Sequence, residues 1–435
     1  MIRKIKGTYD VLPEEINKWH NLETVMRNVA TLFNFQEIRT PIFEASELFH
    51  RSVGETTDIV KKETYDFLDR GKRLNTLRPE GTASVVRSVI ENKLYTEENL
   101  PLKLYYYGPM FRYERPQKGR QRQFHQFGAE IIGTNSPLSD VEIINFAATF
   151  LEALKIDKIK IRINTLGDKE SKDNYRVALN EYLDKHIHKL CSDCNRRYKE
   201  NPLRVLDCKV DKDSETLKNA PKPLDYLSDR AKMHFDQVLA SLDQMKLNYV
   251  IDSNLVRGLD YYTHTVFEIE SDLETLGAQA TLVGGGRYNN LYSSLDGPDL
   301  PAMGFAFGVE RLLLALEAID SDTKKQPLHC YFINLGNPLE TDALKIINDL
   351  RHGGLVVDYD FLNKSLKAQF KQADRLNARY YLIYGDEEAK KQVINVKDSE
   401  TKEQVEVKLD ELYQYLYNCL TNKSCSKSCD GCEGC

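Results

Sequence analysis

The sequence predicts an α+β protein of two or three domains, and three observations carry that expectation. Aromatic-rich segments at 102–107 and Gln123–Ile132 read as strands, and a polar, helically patterned stretch at about 168–228 interrupts strand-rich sequence. Beyond residue 328, apolar segments alternate with helical patterns. At 435 residues the chain is longer than one core organises.

From the N-terminus, Ile16, Trp19, Leu22, Val25, Met26, Val29 and Phe33 fall on one helical face, with Pro13 acceptable in a first turn, so an amphipathic helix is expected over 13–33. Residues 35–41 read as a strand ended by Pro41. Within Gln123–Ile132, Gln126 and Glu130 are four apart and share a strand face, where an amide and a carboxylate can address one ligand. The stretch 168–228 has the pattern of an inserted helical domain. Two β-segments, around 249–251 and 266–269, flank a polar cluster from Arg257 through Asp260, Tyr261 and Tyr262 to Thr265. Little of that cluster is needed for a core, which points to small-ligand recognition. Gly284, Gly285 and Gly286 form either a tight turn or a close backbone approach. A glycine-flanked strand at 304–308 then runs into a helix whose first turn carries Arg311. A polar linker is expected at 320–327. Strands at 329–334, 355–359 and 380–384, alternating with helices at 339–351 and 364–377, predict a small α/β domain with an at least partly parallel sheet.

Hydrophobic content of 41% and charged content of 29% describe an ordinary globular chain. No apolar run approaches the 18 or so residues of a membrane span, and the basic N-terminus lacks the apolar core of a secretory signal, so a cytoplasmic protein is expected. A net charge of −6 argues against a general nucleic-acid binder. Between Pro109 and His125, however, Arg112, Arg115, Lys118, Arg120 and Arg122 face only Glu114, which suits a polyanion of limited extent such as a nucleotide or one RNA end. Of nine cysteines, Cys425, Cys429, Cys432 and Cys435 crowd a Gly/Ser/Lys-rich tail over 422–435 that is expected to be flexible. They could offer four thiolates to zinc or a cluster, but nothing predicted there preorganises them. Cys191, Cys194 and Cys208 lack a fourth thiol nearby. His186 or His188 could complete a set, and the favoured expectation is packing or surface thiols.

Taken together, these segments resemble the class II aminoacyl-tRNA synthetases, and specifically the bacterial-type histidyl-tRNA synthetase family. Arg39, Thr40 and Pro41 are similar to the first class motif, and Phe111 to Pro116 with Phe124, His125 and Gln126 to the second. Residues 304–311 are similar to the third. Arg78, Pro79, Glu80, Gly81 and Thr82, with the cluster at 257–265, resemble the family's histidine-binding elements. The resemblance runs from Lys6 to about Leu420; the cysteine-rich tail belongs to no part of it.

The resemblance implies an antiparallel sheet flanked by helices in a catalytic domain over 1–325, and an α/β anticodon-binding domain over 328–421. It also implies a homodimer with the helix of the first class motif and the strand around Pro41 at its interface, and as ligands ATP with Mg²⁺, L-histidine and tRNA(His). Arg112 would hold the α-phosphate and Arg120 the outer phosphates; Arg311 and Phe124 would sandwich the adenine, and Glu114 would accept from its amino group. Arg257 would stabilise charge at the α-phosphate. Glu80, Thr82 and Gln126 would receive the α-ammonium, with Gly81 also in the histidine-binding segment, Glu130 and Tyr262 at the imidazole nitrogens and Tyr261 shaping the pocket. His125 and His264 are expected to be structural. Lys364, Lys367, Lys371 and Arg375 form either an anticodon contact or a solvated basic face. The competing expectation is a non-catalytic regulatory subunit of ATP phosphoribosyltransferase, which would lack the catalytic arginines and the C-terminal domain.

Overall fold

Eight strands pair edge to edge in the order Gln36–Glu37, Leu102–Phe111, Gln123–Ile132, Ala302–Gly308, Thr281–Arg287, Thr263–Ser271, Ile159–Thr165 and Tyr249–Ile251. The outermost pair at each end is parallel, and every pair between them is antiparallel. The computed structural model describes all residues except 54–56, 58, 207, 209, 212–213, 257–260, 274–279, 319–327, 336–341 and 422–435. The chain divides into two compact units, Met1–Thr323 and Lys324–Cys435.

The period of two decides what each face of the sheet meets. Phe127, Ala129 and Ile131 point into the main core with Met303, Phe305 and Phe307, where they meet helices Ile16–Leu32, Pro137–Ala153 and Asp229–Gln244. The rings of Phe127, Phe150 and Phe307 stack, with centroids 4.8–6.0 Å apart. Each such buried ring contributes about 2–3 kcal/mol. Helix Pro137–Ala153 starts cleanly because the Ser136 side chain accepts from the Leu138 N–H and proline occupies the first turn.

Helix Lys169–His186 opens a set of short helices with its own small core of Tyr175, Leu179, Leu183, Leu190, Cys194, Val205, Leu206 and Cys208. Its two ends meet: Ser228 Oγ donates to Asp168 Oδ2 at 2.7 Å and Ser228 N to Ser171 Oγ at 2.9 Å. In the second unit, Val357–Tyr359, Cys330–Asn334 and Tyr380–Tyr384 pair in parallel, and Val393–Asp398 and Gln404–Lys408 extend the sheet antiparallel.

Local details depart from the sequence reading. Helix Ile16–Leu32 begins three residues after Pro13, which lies in the preceding turn. The strand expected at 35–41 pairs only at Gln36 and Glu37, because the carbonyls of Thr40 and Pro41 accept instead from Arg78 Nη1 at 2.9 and 3.3 Å. Cys194 and Cys208 do pack in the small core, but with Cys191 they converge on Asp211 rather than on a histidine; His186 packs its ring on Tyr182. The linker at 320–327 and the four tail cysteines lie outside the described residues.

Candidate active site

The face of the sheet opposite the phenylalanines lines a cavity of about 350 Å³. Gln126 and Glu130 point into it from Gln123–Ile132, in register with Gly308 and Gly304 of the neighbouring strand. Gly304, Ala306 and Gly308 keep the floor low. A Cβ at Gly304 would lie 1.6 Å from Glu130 Oε2, so only glycine leaves that carboxylate its place. Phe124 and Glu130 are six residues apart on one strand, about 20 Å, so the cavity has two distinct ends.

The cationic end is built on the loop after Leu102–Phe111. Arg112 Nε donates to the Pro79 carbonyl at 2.8 Å, and its guanidinium lies 5.3 Å from the Phe124 ring centre. Arg120 Nη1 reaches Glu114 Oε2 at 3.4 Å, and Arg311 Nη1 donates to the Thr281 carbonyl at 2.7 Å. Burial, then repulsion from Arg120, lowers the pKa of Arg311. Arg122 instead lies over the Tyr113 ring at 4.0 Å and is not among the cavity residues.

The other end is acidic and phenolic. Glu130 is 1% exposed and accepts from Thr82 Oγ1 at 2.9 Å and Tyr288 Oη at 2.5 Å. Burial raises its pKa to about 8, against the lowering effect of these two hydrogen bonds. Glu80 accepts from the N–H groups of Thr82 and Ala83 at 2.7 and 2.8 Å, so it caps helix Thr82–Glu91; burial raises its pKa as well. Gln126 Oε1 accepts from the Gly81 N–H at 3.0 Å. Tyr261 stands 4.7 Å from Tyr262 and 5.7 Å from Tyr288, ring to ring.

Glu80, Thr82, Arg112, Glu114, Arg120, Phe124, Gln126, Glu130, Tyr261, Tyr262 and Arg311 therefore line one cavity. Gly81 sits just behind them, where a Cβ would meet the Tyr106 ring at 2.1 Å. Arg257 lies outside the described residues. His125 packs edge-on against Trp19, its N–H bonded to Glu310 at 2.9 Å, and His264 is largely buried.

A family model described as histidyl-tRNA synthetase matches residues 7–312, and one described as an anticodon binding domain matches 329–418. The chain belongs to the histidyl-tRNA synthetase family. A histidine–tRNA ligase of a Geobacillus species is 49% identical over 412 residues, covering 94% of this chain and 97% of that protein. The corresponding ligase of Staphylococcus aureus is 47% identical over 419 residues, 96% of this chain and 100% of the other. The crystal structure of apo S. aureus histidyl-tRNA synthetase superposes with a TM-score of 0.82 at 41% identity, covering 96% of this chain and 100% of that one. An ATP phosphoribosyltransferase regulatory subunit/histidyl-tRNA synthetase from Bacillus halodurans, 23% identical with a TM-score of 0.62, shares the fold.

Sequence reasoning missed several residues of this histidyl-tRNA synthetase family site. Tyr288 holds Glu130, and Tyr106 underlies Gly81 and Gly128. Tyr106 was findable, because strand alternation puts it on the face of Leu104. Tyr288 follows the last strand residue, where no periodicity speaks. Glu310 accepts from Tyr9 Oη at 3.1 Å and orients the start of Gln123–Ile132 through His125.

Proposed function

We infer that the chain is a histidine–tRNA ligase that first joins L-histidine to ATP and then transfers histidine to the 3′ end of tRNA(His). The observation that carries this reading is the charge-separated cavity: arginines at one end and a buried carboxylate with phenols at the other, in a member of this family.

In the first step a histidine carboxylate oxygen attacks the α-phosphorus of ATP, the bond to the β-phosphate oxygen breaks, and pyrophosphate leaves. No enzyme nucleophile is consumed, so the protein must align the reactants and neutralise charge on the phosphates. Arg112, Arg120 and Arg311 suit that work because a guanidinium binds phosphate oxygens through a planar fork and stays protonated. Phe124 offers an adenine face, and Glu114 an acceptor for its amino group. Arg257 is assigned the α-phosphate charge. Magnesium enters as part of the MgATP substrate, with no protein ligands assigned. At the other end, Glu80, Thr82 and Gln126 receive the α-ammonium, while Glu130 and Tyr262 address the two imidazole nitrogens, with Tyr261 closing the pocket wall. A pocket that bonds both ring nitrogens rejects apolar amino acids, whose binding would strand its own polar groups.

The second unit is assigned the anticodon, with Lys364, Lys367, Lys371 and Arg375 as candidate contacts. A homodimer is supported by Ile42, Phe43, Phe67, Leu68 and Leu74, which are exposed on or beside the small sheet of Phe43–Ala45, Tyr65–Leu68 and Leu74–Leu77. Among the described residues no helix is long and apolar enough to cross a membrane, in keeping with a cytoplasmic enzyme. The reading is tested by charging: labelled histidine should become acid-precipitable on tRNA(His) transcripts in the presence of ATP, and failure with active tRNA would overturn it. The regulatory-subunit reading is disfavoured by the anticodon-domain match and the retained Arg112 and Arg311.

A further inference from the structure

We propose that Cys191, Cys194, Cys208 and Asp211 form a zinc site that pins together the small helical core of Lys169–His186 and the helices after it. Their ligand atoms all lie within 4.8 Å of one another. The sequence spacing is C-x2-C, thirteen residues, then C-x2-D. That is the paired-knuckle pattern of structural zinc sites with aspartate in the fourth position, and a search for a fourth thiol passes over it.

The distances agree with tetrahedral coordination. Cys191 Sγ and Cys208 Sγ are 3.7 Å apart, far beyond a disulfide, and the edge of a tetrahedron with zinc–sulfur bonds of about 2.3 Å is about 3.8 Å. Cys208 Sγ and Asp211 Oδ2 are 3.5 Å apart, where a zinc-bound sulfur and carboxylate oxygen would be separated by about 3.6 Å. The wider pairs need to close by no more than about 1 Å on binding.

The surroundings hold the ligand groups in place. Cys191 is the N-cap of helix Ser192–Glu200 and Cys194 lies in its first turn, where backbone N–H groups favour negative charge. Asp211 N donates to Cys208 Sγ at 3.4 Å and Cys191 N to Asp211 Oδ2 at 2.9 Å, which orients two ligands before any ion arrives. Cys194 and Cys208 are buried in the small core, whose few apolar side chains gain a staple there. Soft sulfur donors with one hard oxygen fit zinc and exclude magnesium or calcium.

The test uses the full chain with Cys425, Cys429, Cys432 and Cys435 changed to serine, so that the tail cannot supply thiolates. After incubation with Zn²⁺ and exhaustive dialysis, elemental analysis should give one zinc per chain, and Co²⁺ in its place should show tetrahedral thiolate absorption. Cys208→Ser should weaken zinc at least about 100-fold, whereas Asp211→Cys, which keeps a ligand atom, should retain it. Histidine-dependent pyrophosphate exchange reports that each variant is folded. The proposal is overturned if the tail variant binds no zinc while its insertion thiols react freely, if a Cys191–Cys208 disulfide forms instead, or if Cys208→Ser keeps its zinc.

Discussion

Glu130 is the residue on which the proposed histidine specificity turns. It is enclosed, held by Thr82 and Tyr288, and kept in place by the missing side chain at Gly304. Glu130→Gln preserves shape but replaces the carboxyl group proposed to address a ring nitrogen, so kcat/KM for histidine should fall roughly 10- to 100-fold, the scale of one buried hydrogen-bond partner lost, with the KM for ATP little changed. Steady-state pyrophosphate exchange at varied histidine and ATP separates the two. For the proposed α-phosphate role of Arg257, Arg257→Ala should slow single-turnover adenylate formation roughly 100- to 1,000-fold, the effect of losing one preorganised charge stabiliser. An unchanged rate would remove Arg257 from the mechanism.

At the scale of elements, the strands were the legible part. Alternation over Gln123–Ile132 places Gln126 and Glu130 together on one face, and the structure sets that face over the cavity and the phenylalanine face over the helices. What alternation cannot express is a partner from a distant strand end. Arg287 closes Thr281–Arg287 and is 0% exposed, bound bidentately to the equally buried Asp140 and to Thr134 O and Ser139 Oγ at 2.9 and 2.7 Å. From sequence it was one more arginine after a glycine run. The ion pair fixes helix Pro137–Ala153 against the sheet, so Arg287→Met, which strands the Asp140 charge, should cost about 3–5 kcal/mol in denaturant unfolding. Arg287→Met with Asp140→Leu should recover most of it. Similarly, the 35–41 segment loses its strand character to Arg78, a long-range carbonyl binder that local propensity does not reveal.

For the whole molecule, buried ionisable groups shape stability against pH. Glu130, raised from 4.5 to about 8, keeps its proton in the folded state where the unfolded chain has lost it. Its contribution is therefore full below about pH 4.5 and is lost as pH rises toward 8. His264 and Asp140 act on the acid side. Burial lowers His264 from 6.5 to about 4, and Arg287 overcomes burial to lower Asp140 from 3.8 to about 2. Their contributions are present above 6.5 and 3.8 and fade as pH falls through the lower values. Between pH 5 and 6.5 the Glu130 and His264 effects oppose each other, so thermal unfolding should lose stability from about pH 6.5 to 8 in the wild type, and less steeply in Glu130→Gln. The exposed apolar sheet edge makes a further demand: light scattering should give twice the chain mass, and Phe43→Glu with Leu68→Glu should give monomer. ATP–pyrophosphate exchange with each of the twenty amino acids tests most directly whether one cavity pairs a histidine pocket with an ATP-phosphate cradle. Exchange with histidine alone is the predicted result; exchange with another amino acid instead, or with none, would contradict it.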